Sequence, residues 1–145
     1  IKDSILQKKG KLDNDERSIM ETHAHIGEDI LFNASKLIQG RNYFSIAAQI
    51  AGGHHEYFDG HGYPRGLSGD HIPLCARIVA VVDVFDALLS DRPYKTAWPL
   101  NQAIDYIIAR SSTQFDPRMV QALLTLLKEK RLSPELCEYY GLNTQ

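Results

Sequence analysis

The chain has 145 residues, the size of one ordinary domain, and 43% of them are hydrophobic, enough for a core of its own. Sixteen basic residues against 18 acidic ones leave a formal charge of −2, which excludes a global positive field drawing the chain to a nucleic-acid polymer or a membrane surface. Cys75 and Cys137 are too few for a disulfide framework and lack metal-site spacing, no apolar run approaches a membrane span, and the start is not signal-like. A cytoplasmic setting is expected. The sequence opens at Ile1 rather than a methionine, so a piece of a longer protein is expected as well.

Gly and Pro punctuate the chain into helices joined by loops, with little strand-like alternation, and the expected fold class is all-α over a single domain, 1–145. Asp13, preceded by Leu12 and followed by Glu16, reads as an N-cap with its capping-box partner. The apolar series Ile19, His23, Ile26, Ile30 then runs at helical spacing to a stop at Gly40, with His23 pointing inward. A second helix over about 43–56 has two inward rows, Ala47, Ile50, His54 and Phe44, Ala48, Ala51, His55, which puts both histidines side by side in its last turn. Residues 58–71 carry four glycines and a proline and form a loop of functional length. Pro73 suits the first turn of a helix over about 73–90, whose stripe of Ala76, Val79, Ala80 and Ala87 contains an acid, Asp83. Helices over about 99–110, 117–130 and 134–140 follow, the last two opened by Asp116-Pro117 and Ser133-Pro134.

Three histidines and one aspartate on inward faces of three helices need partners, because a buried imidazole or carboxylate without one is costly. His23 alone fits a hydrogen-bonded core residue as well as a ligand. His54 and His55 together, followed by Glu56 and Asp59 and joined by Asp83, match the nitrogen and oxygen donor set of Fe, Mn, Ni or Zn. Asp83 pairing with Arg77 and Asp86 as a solvated surface acid are the bland alternatives. Arg92 and Lys95 follow the helix closely enough to grip a phosphate near a metal on Asp83, or else Arg92 only pairs with Asp91 or Asp86.

The motifs HHE at 54–56, DGHGYP at 59–64, GLSGDHIP at 66–73, and RIVAVVDVFDAL with RPYK within 77–95 together resemble the HD-GYP family of cyclic di-GMP phosphodiesterases, a branch of the HD-domain metal hydrolases. Weaker matches at SILQKKGKL (4–12), HAHIGEDIL (23–31) and QFDPRMV (114–120) extend the likeness along the chain. The resemblance implies a compact helical bundle of the HD-domain type, with two or three divalent ions, usually iron or manganese. It implies hydrolysis of cyclic di-GMP to linear dinucleotide or GMP in bacterial second-messenger signalling. His23, His54, His55 and Asp83 would be metal ligands, the last three being catalytic. Asp86, Arg92 and Lys95 would contact nucleotide, with Tyr63 in the signature loop beside the site. Glu56 and Asp59 would brace that loop. Implied partners are a GGDEF-type cyclase domain docking on the GYP loop and an upstream sensor or receiver domain.

The sequence departs from the family pattern in one major way: no His-Asp dipeptide occurs in the 145 residues, so two expected ligands are missing, through truncation or degeneracy. Ser112 in place of a usual glycine, Val82 for alanine, Lys9 for proline and the extra His61 are smaller departures. The competing readings are a cyclic-dinucleotide receptor or protein-docking module without turnover, and an HD-type hydrolase of another nucleotide.

Overall fold

The computed structural model describes residues 1–38, 43–91, 96–129 and 134–140. Among them are seven α-helices and no strand: α1 Asp3–Leu6, α2 Asn14–Lys36, α3 Phe44–Gly53, α4 Leu74–Leu89, α5 Leu100–Ala109, α6 Pro117–Lys128 and α7 Pro134–Tyr139, with a 3-10 turn at Gly69–His71. The all-α expectation holds, and no helix of the described residues is long and apolar enough to cross a membrane. The expected boundaries are met within a few residues, with three differences. Pro73 is the N-cap of α4 rather than its first turn. Helix α3 ends at Gly53, so His54 caps it and His55 lies in the turn beyond. The short α1 was not anticipated. Gly40 and Ser133 lie outside the described residues.

Local chemistry accounts for the helix starts. Asp13 accepts from the Glu16 amide at 2.9 Å while the Glu16 carboxylate accepts from the Asp13 amide at 3.0 Å, the reciprocal capping box that opens α2. Asp116 caps α6 with Pro117 in the first turn, accepting from the Arg118 amide at 2.8 Å. The main core gathers Val81, Phe85 and Leu88 of α4, Ala103 and Ile107 of α5, Phe115, and Val120 of α6. Burying a side chain such as Ile107 or Phe115 contributes roughly 2–3 kcal/mol.

The other half of the molecule, α2 and α3 against the start of α4, carries the histidines. Small residues permit the approach. Ala24 is fully buried, Gly27 would place a Cβ 3.3 Å from Ala51, and a Cβ on Gly53 would meet that of Ala76 at 2.8 Å, so α3 and α4 touch there only because Gly53 has none. This packing corrects the expected inward stripe of α2. The buried side of the helix runs through Ala24 and Gly27, where α3 can come close, and the neighbouring row Ile19, Ile26 and Ile30 is left 45%, 48% and 64% exposed.

A charged knot ties the far end of the signature loop to α4 and α6. The side chain of Asp116 is fully buried and accepts from Arg77 at 2.7 Å and from Arg118 at 2.8 Å, while Asp70 accepts from both arginines at the surface. Arg77 is therefore the partner of Asp70 and Asp116, not of Asp83. Burial opposes the charge on Asp116, but the hydrogen bonds from Arg118 and Arg77 outweigh it and hold its carboxyl below its ordinary value. Ser112, the residue noted where glycine is usual, has φ 70°, a left-handed conformation that a side chain disfavours.

Asp116→Ala removes the buried acceptor shared by Arg77 and Arg118 and leaves Arg77 only its surface partner Asp70, and a loss of about 2–3 kcal/mol is expected in urea unfolding at pH 7. The contribution of Asp116 is complete above its unfolded-state pKa of about 4 and disappears as the pH falls through its lower folded value. The gap between wild type and Asp116→Ala should accordingly narrow in acid unfolding; a gap constant from pH 7 to pH 2 would refute the ionic account. Ser112→Gly should raise stability by up to about 1 kcal/mol by releasing the left-handed strain.

Candidate metal centre

His23 comes from the middle of α2, His54 from the C-cap of α3 and His55 from the residue after it. One ring nitrogen from each lies within 4.8 Å of the others, the arrangement that a single ion could bridge. The ring centroids of His54 and His55 are 3.9 Å apart, and those of His23 and His55 are 4.9 Å apart. Backbone carbonyls orient two of the rings. His23 Nδ1 lies 2.7 Å from the Met20 carbonyl oxygen, and His54 Nδ1 lies 2.9 Å from that of Ile50 and 3.0 Å from that of Ala51. A carbonyl can only accept, so Nδ1 is a donor in both rings, the tautomer that points Nε2 toward the cluster as the metal-binding nitrogen. His23 Nε2 faces His55 Nε2 at 3.1 Å, a separation that needs a proton or a cation between the two nitrogens.

Burial first, then the charges of His54 and His23, push the His55 imidazolium down to about 4, leaving a neutral ring near pH 7. Tyr63 stacks on that ring, with centroids 4.7 Å apart and planes at 29°. Burial, followed by the negative field of Glu21, pushes its phenol up to about 12, so the hydroxyl stays protonated. Donor chemistry, tautomer and protonation all fit a divalent first-row metal.

Glu56, 2% exposed, holds Tyr63 in place. Its two carboxylate oxygens accept from the Arg65 amide at 2.8 Å and the Leu67 amide at 2.9 Å, across the signature loop. The Tyr63 amide donates to the His55 carbonyl at 3.1 Å. Gly62 passes so close to this turn that a Cβ there would lie 2.2 Å from the Tyr57 amide nitrogen and 2.5 Å from the His55 carbonyl oxygen, both backbone atoms that cannot move aside. Asp59 accepts from the His61 amide at 3.0 Å and pairs across the loop with Ser68. Glu56 and Asp59 thus hold the loop, and His61, whose side chain is 83% exposed, faces Asp59 at 3.2 Å and not the rings. Arg65 clasps the loop to α2 and α3 by donating to both Glu28 oxygens at 2.9 and 3.0 Å and to the Gly52 carbonyl at 3.1 Å. Nothing in the local sequence signalled this pairing across 37 residues.

The expected inward position of Asp83 is not met. Asp83 is exposed on α4 and outside the three-histidine group, although its charge contributes to the field on Tyr63. The stripe that includes it is buried at Ala76 and Ala80, and Gly53 of α3 packs against Ala76, two turns before Asp83. Asp86 is half-buried and accepts from the Tyr140 hydroxyl at 2.8 Å. Arg92 and Lys95 lie outside the described residues. Beside the rings, Tyr63, Pro64 and Arg65 face Glu21, His25 and Phe32 of α2 across a groove of about 730 Å³.

The HD-domain family model matches residues 3–119. The chain belongs to the HD-domain family. A cyclic di-GMP phosphodiesterase response regulator of Xanthomonas campestris is 51% identical over 124 residues, covering 86% of this chain and 32% of its own length. A cyclic di-GMP phosphodiesterase of Thermotoga maritima is 44% identical over 129 residues, 89% of this chain and 34% of its own. A crystal structure of a cyclic GMP-AMP-specific phosphodiesterase of V. cholerae matches 96% of this chain and 31% of its own with a TM-score of 0.64, at 24% identity, a likeness of fold. The chain therefore spans about a third of the length of these relatives, and the resemblance to phosphodiesterases of the HD-GYP kind is upheld.

If Glu56 sets the rings through the loop, Glu56→Gln replaces an acceptor by an amide that cannot accept from both backbone donors. Mn(II) affinity measured by calorimetry should fall about 10- to 100-fold while helicity by circular dichroism is retained. Unchanged affinity would sever the loop from the metal centre.

Proposed function

We propose that this HD domain is part of a metal-dependent phosphodiesterase hydrolysing cyclic di-GMP to linear dinucleotide, GMP or both, in bacterial second-messenger signalling. The observation that carries the reading is the convergence of three imidazoles, two of them oriented by Nδ1 donation to backbone carbonyls, under a loop with the signature sequence. Relatives named for cyclic di-GMP hydrolysis at 51% and 44% identity point to the same chemistry.

In this reading His23, His54 and His55 hold divalent ions, iron or manganese, with Asp83 completing the set from α4. A divalent ion held there would supply Lewis acidity toward a phosphoryl oxygen and toward a water nucleophile. The remaining tasks fall to the chain's own side chains. Tyr63 covers one face of His55 and excludes solvent from it. Arg92 and Lys95 grip the phosphates, one as a planar fork and the other as a point charge. Asp86 accepts from the donor edge of a purine base. A cyclase domain of the GGDEF type docks on the GYP loop, a sensor or receiver domain lies upstream, and the protein works in the cytoplasm.

Other curated relatives, from Vibrio cholerae, are named as 3'3'-cGAMP-specific phosphodiesterases at 46% and 41% identity, which favours testing a second substrate. The chain with its native upstream sequence, purified without oxygen and loaded with Fe(II) or Mn(II), should consume cyclic di-GMP faster than cyclic GMP-AMP by chromatography. His55→Ala should lower turnover at least about 100-fold. Tight binding of the dinucleotide without turnover would establish a receptor, and faster loss of cyclic GMP-AMP would reassign the substrate.

A further inference from the structure

Helix α7 and Tyr140 beyond it lie outside the span 3–119 of the family match, yet Tyr140 reaches back to Phe85 and Asp86 of α4. The Tyr140 hydroxyl donates to Asp86 Oδ1 at 2.8 Å across 54 residues of sequence. The Tyr140 ring packs on Phe85, the core residue beside Asp86, at 6.0 Å between centroids, and edge-on against Tyr139 at 5.0 Å. Packing on Phe85 fixes where the phenol oxygen sits, and the hydrogen bond fixes the Asp86 carboxylate in turn. Burial, then the hydrogen bond and charge of Asp86, push the Tyr140 phenol up to about 12, so it remains a donor throughout the neutral range.

We propose that Tyr140 is a positioning residue for Asp86, holding its carboxylate so that a guanine base meets a fixed acceptor. The inference rests on the function proposed above. An ionised carboxylate offers about four lone-pair sites on two oxygens. Tyr140 takes one site on Oδ1, which leaves Oδ2 and the second site of Oδ1 to accept from adjacent N–H donors. The guanine edge presents such a pair, its ring N1–H beside its exocyclic amine, whereas the matching edge of adenine turns an acceptor toward the carboxylate. A carboxylate held by Tyr140 favours guanine because it has no rotamer with which to relieve that repulsion; a freely rotating one discriminates less and loses freedom when the base binds.

The test uses the full-length, metal-loaded protein and Tyr140→Phe, which keeps the ring on Phe85 and removes only the hydroxyl. We expect KM for cyclic di-GMP to rise about 3- to 10-fold with kcat unchanged, and the preference for cyclic di-GMP over cyclic di-AMP, which has no guanine to offer Asp86, measured by kcat/KM, to shrink by a similar factor. Direct binding to the metal-free protein by calorimetry should weaken in parallel. A hydroxyl serving packing alone would shift melting temperature and leave the selectivity ratio in place, and that result overturns the assignment. Wild-type protein that neither binds nor hydrolyses either dinucleotide would remove the proposed function and this inference with it. Active wild type with identical KM and selectivity in Tyr140→Phe would remove this inference alone.

Discussion

The buried carboxylate of Glu56 is the constraint on which the candidate site depends. A charged group taken from water must be compensated by hydrogen bonds, and Glu56 obtains two from the Arg65 and Leu67 amides. Satisfying Glu56 therefore closes the loop, and closing the loop sets Tyr63 against His55. Magnitudes show that Glu56 does not act unaided. Hydrogen bonds to a charged group contribute roughly 1.5–3 kcal/mol each, whereas ordering a loop of this size costs on the order of 10 kcal/mol or more at about 1–2 kcal/mol per residue. The balance comes from backbone pins, the Phe58 amide to Gln114 at 3.1 Å, the Asp59 amide to Thr113 at 2.9 Å and the Gly69 amide to Phe58 at 2.9 Å, and from Ile72, which is 1% exposed at the loop's end. The loop is built across the molecule and not only on its own turn residues.

Features that depend on neighbours in sequence were legible. The capping box of Asp13 and Glu16 and the cap of Asp116 before Pro117 are local hydrogen bonds between residues two or three apart, and both are present where the sequence places them. His54 and His55 stand side by side because adjacent residues at a helix end must. The failures concern choices between faces. Two rows of α2 one residue apart have helical spacing, and hydrophobicity favoured Ile19, Ile26 and Ile30. Close approach favoured the row of Ala24 and Gly27, since large side chains hold helices apart and small ones do not. Hydrophobic pattern alone does not contain that distinction.

Long-range pairs left no trace at all. Arg65 with Glu28 spans 37 residues and Tyr140 with Asp86 spans 54, and each member is an ordinary surface residue type in its local context. Arg77 illustrates the point in reverse. It sits six positions before Asp83, which made a pairing plausible on sequence grounds, yet Asp70 and Asp116 approach from a loop and a helix cap and satisfy its charge instead. Asp83 is thereby released from a structural role as the counter-ion of Arg77.

That release bears on the charge balance of the candidate metal centre. Between about pH 4, where His55 loses its proton, and about pH 12, where Tyr63 loses its own, the His55 ring and the Tyr63 phenol beside it are neutral. Three imidazoles provide nitrogen donors without compensating any of the charge on a dication, and Fe or Mn sites also draw on oxygen donors. Carboxylates must supply that compensation. Glu56 is consumed by the loop and Glu28 by Arg65, so among the acids that brace this end of the molecule neither is available. Asp83, exposed on α4 and already felt by Tyr63, is the acid whose charge remains uncommitted to a described partner. The proposed sharing of a metal between rings on one pair of helices and an acid on a third depends on how closely α4 is held to α3, and Gly53 against Ala76 is one contact that sets that distance.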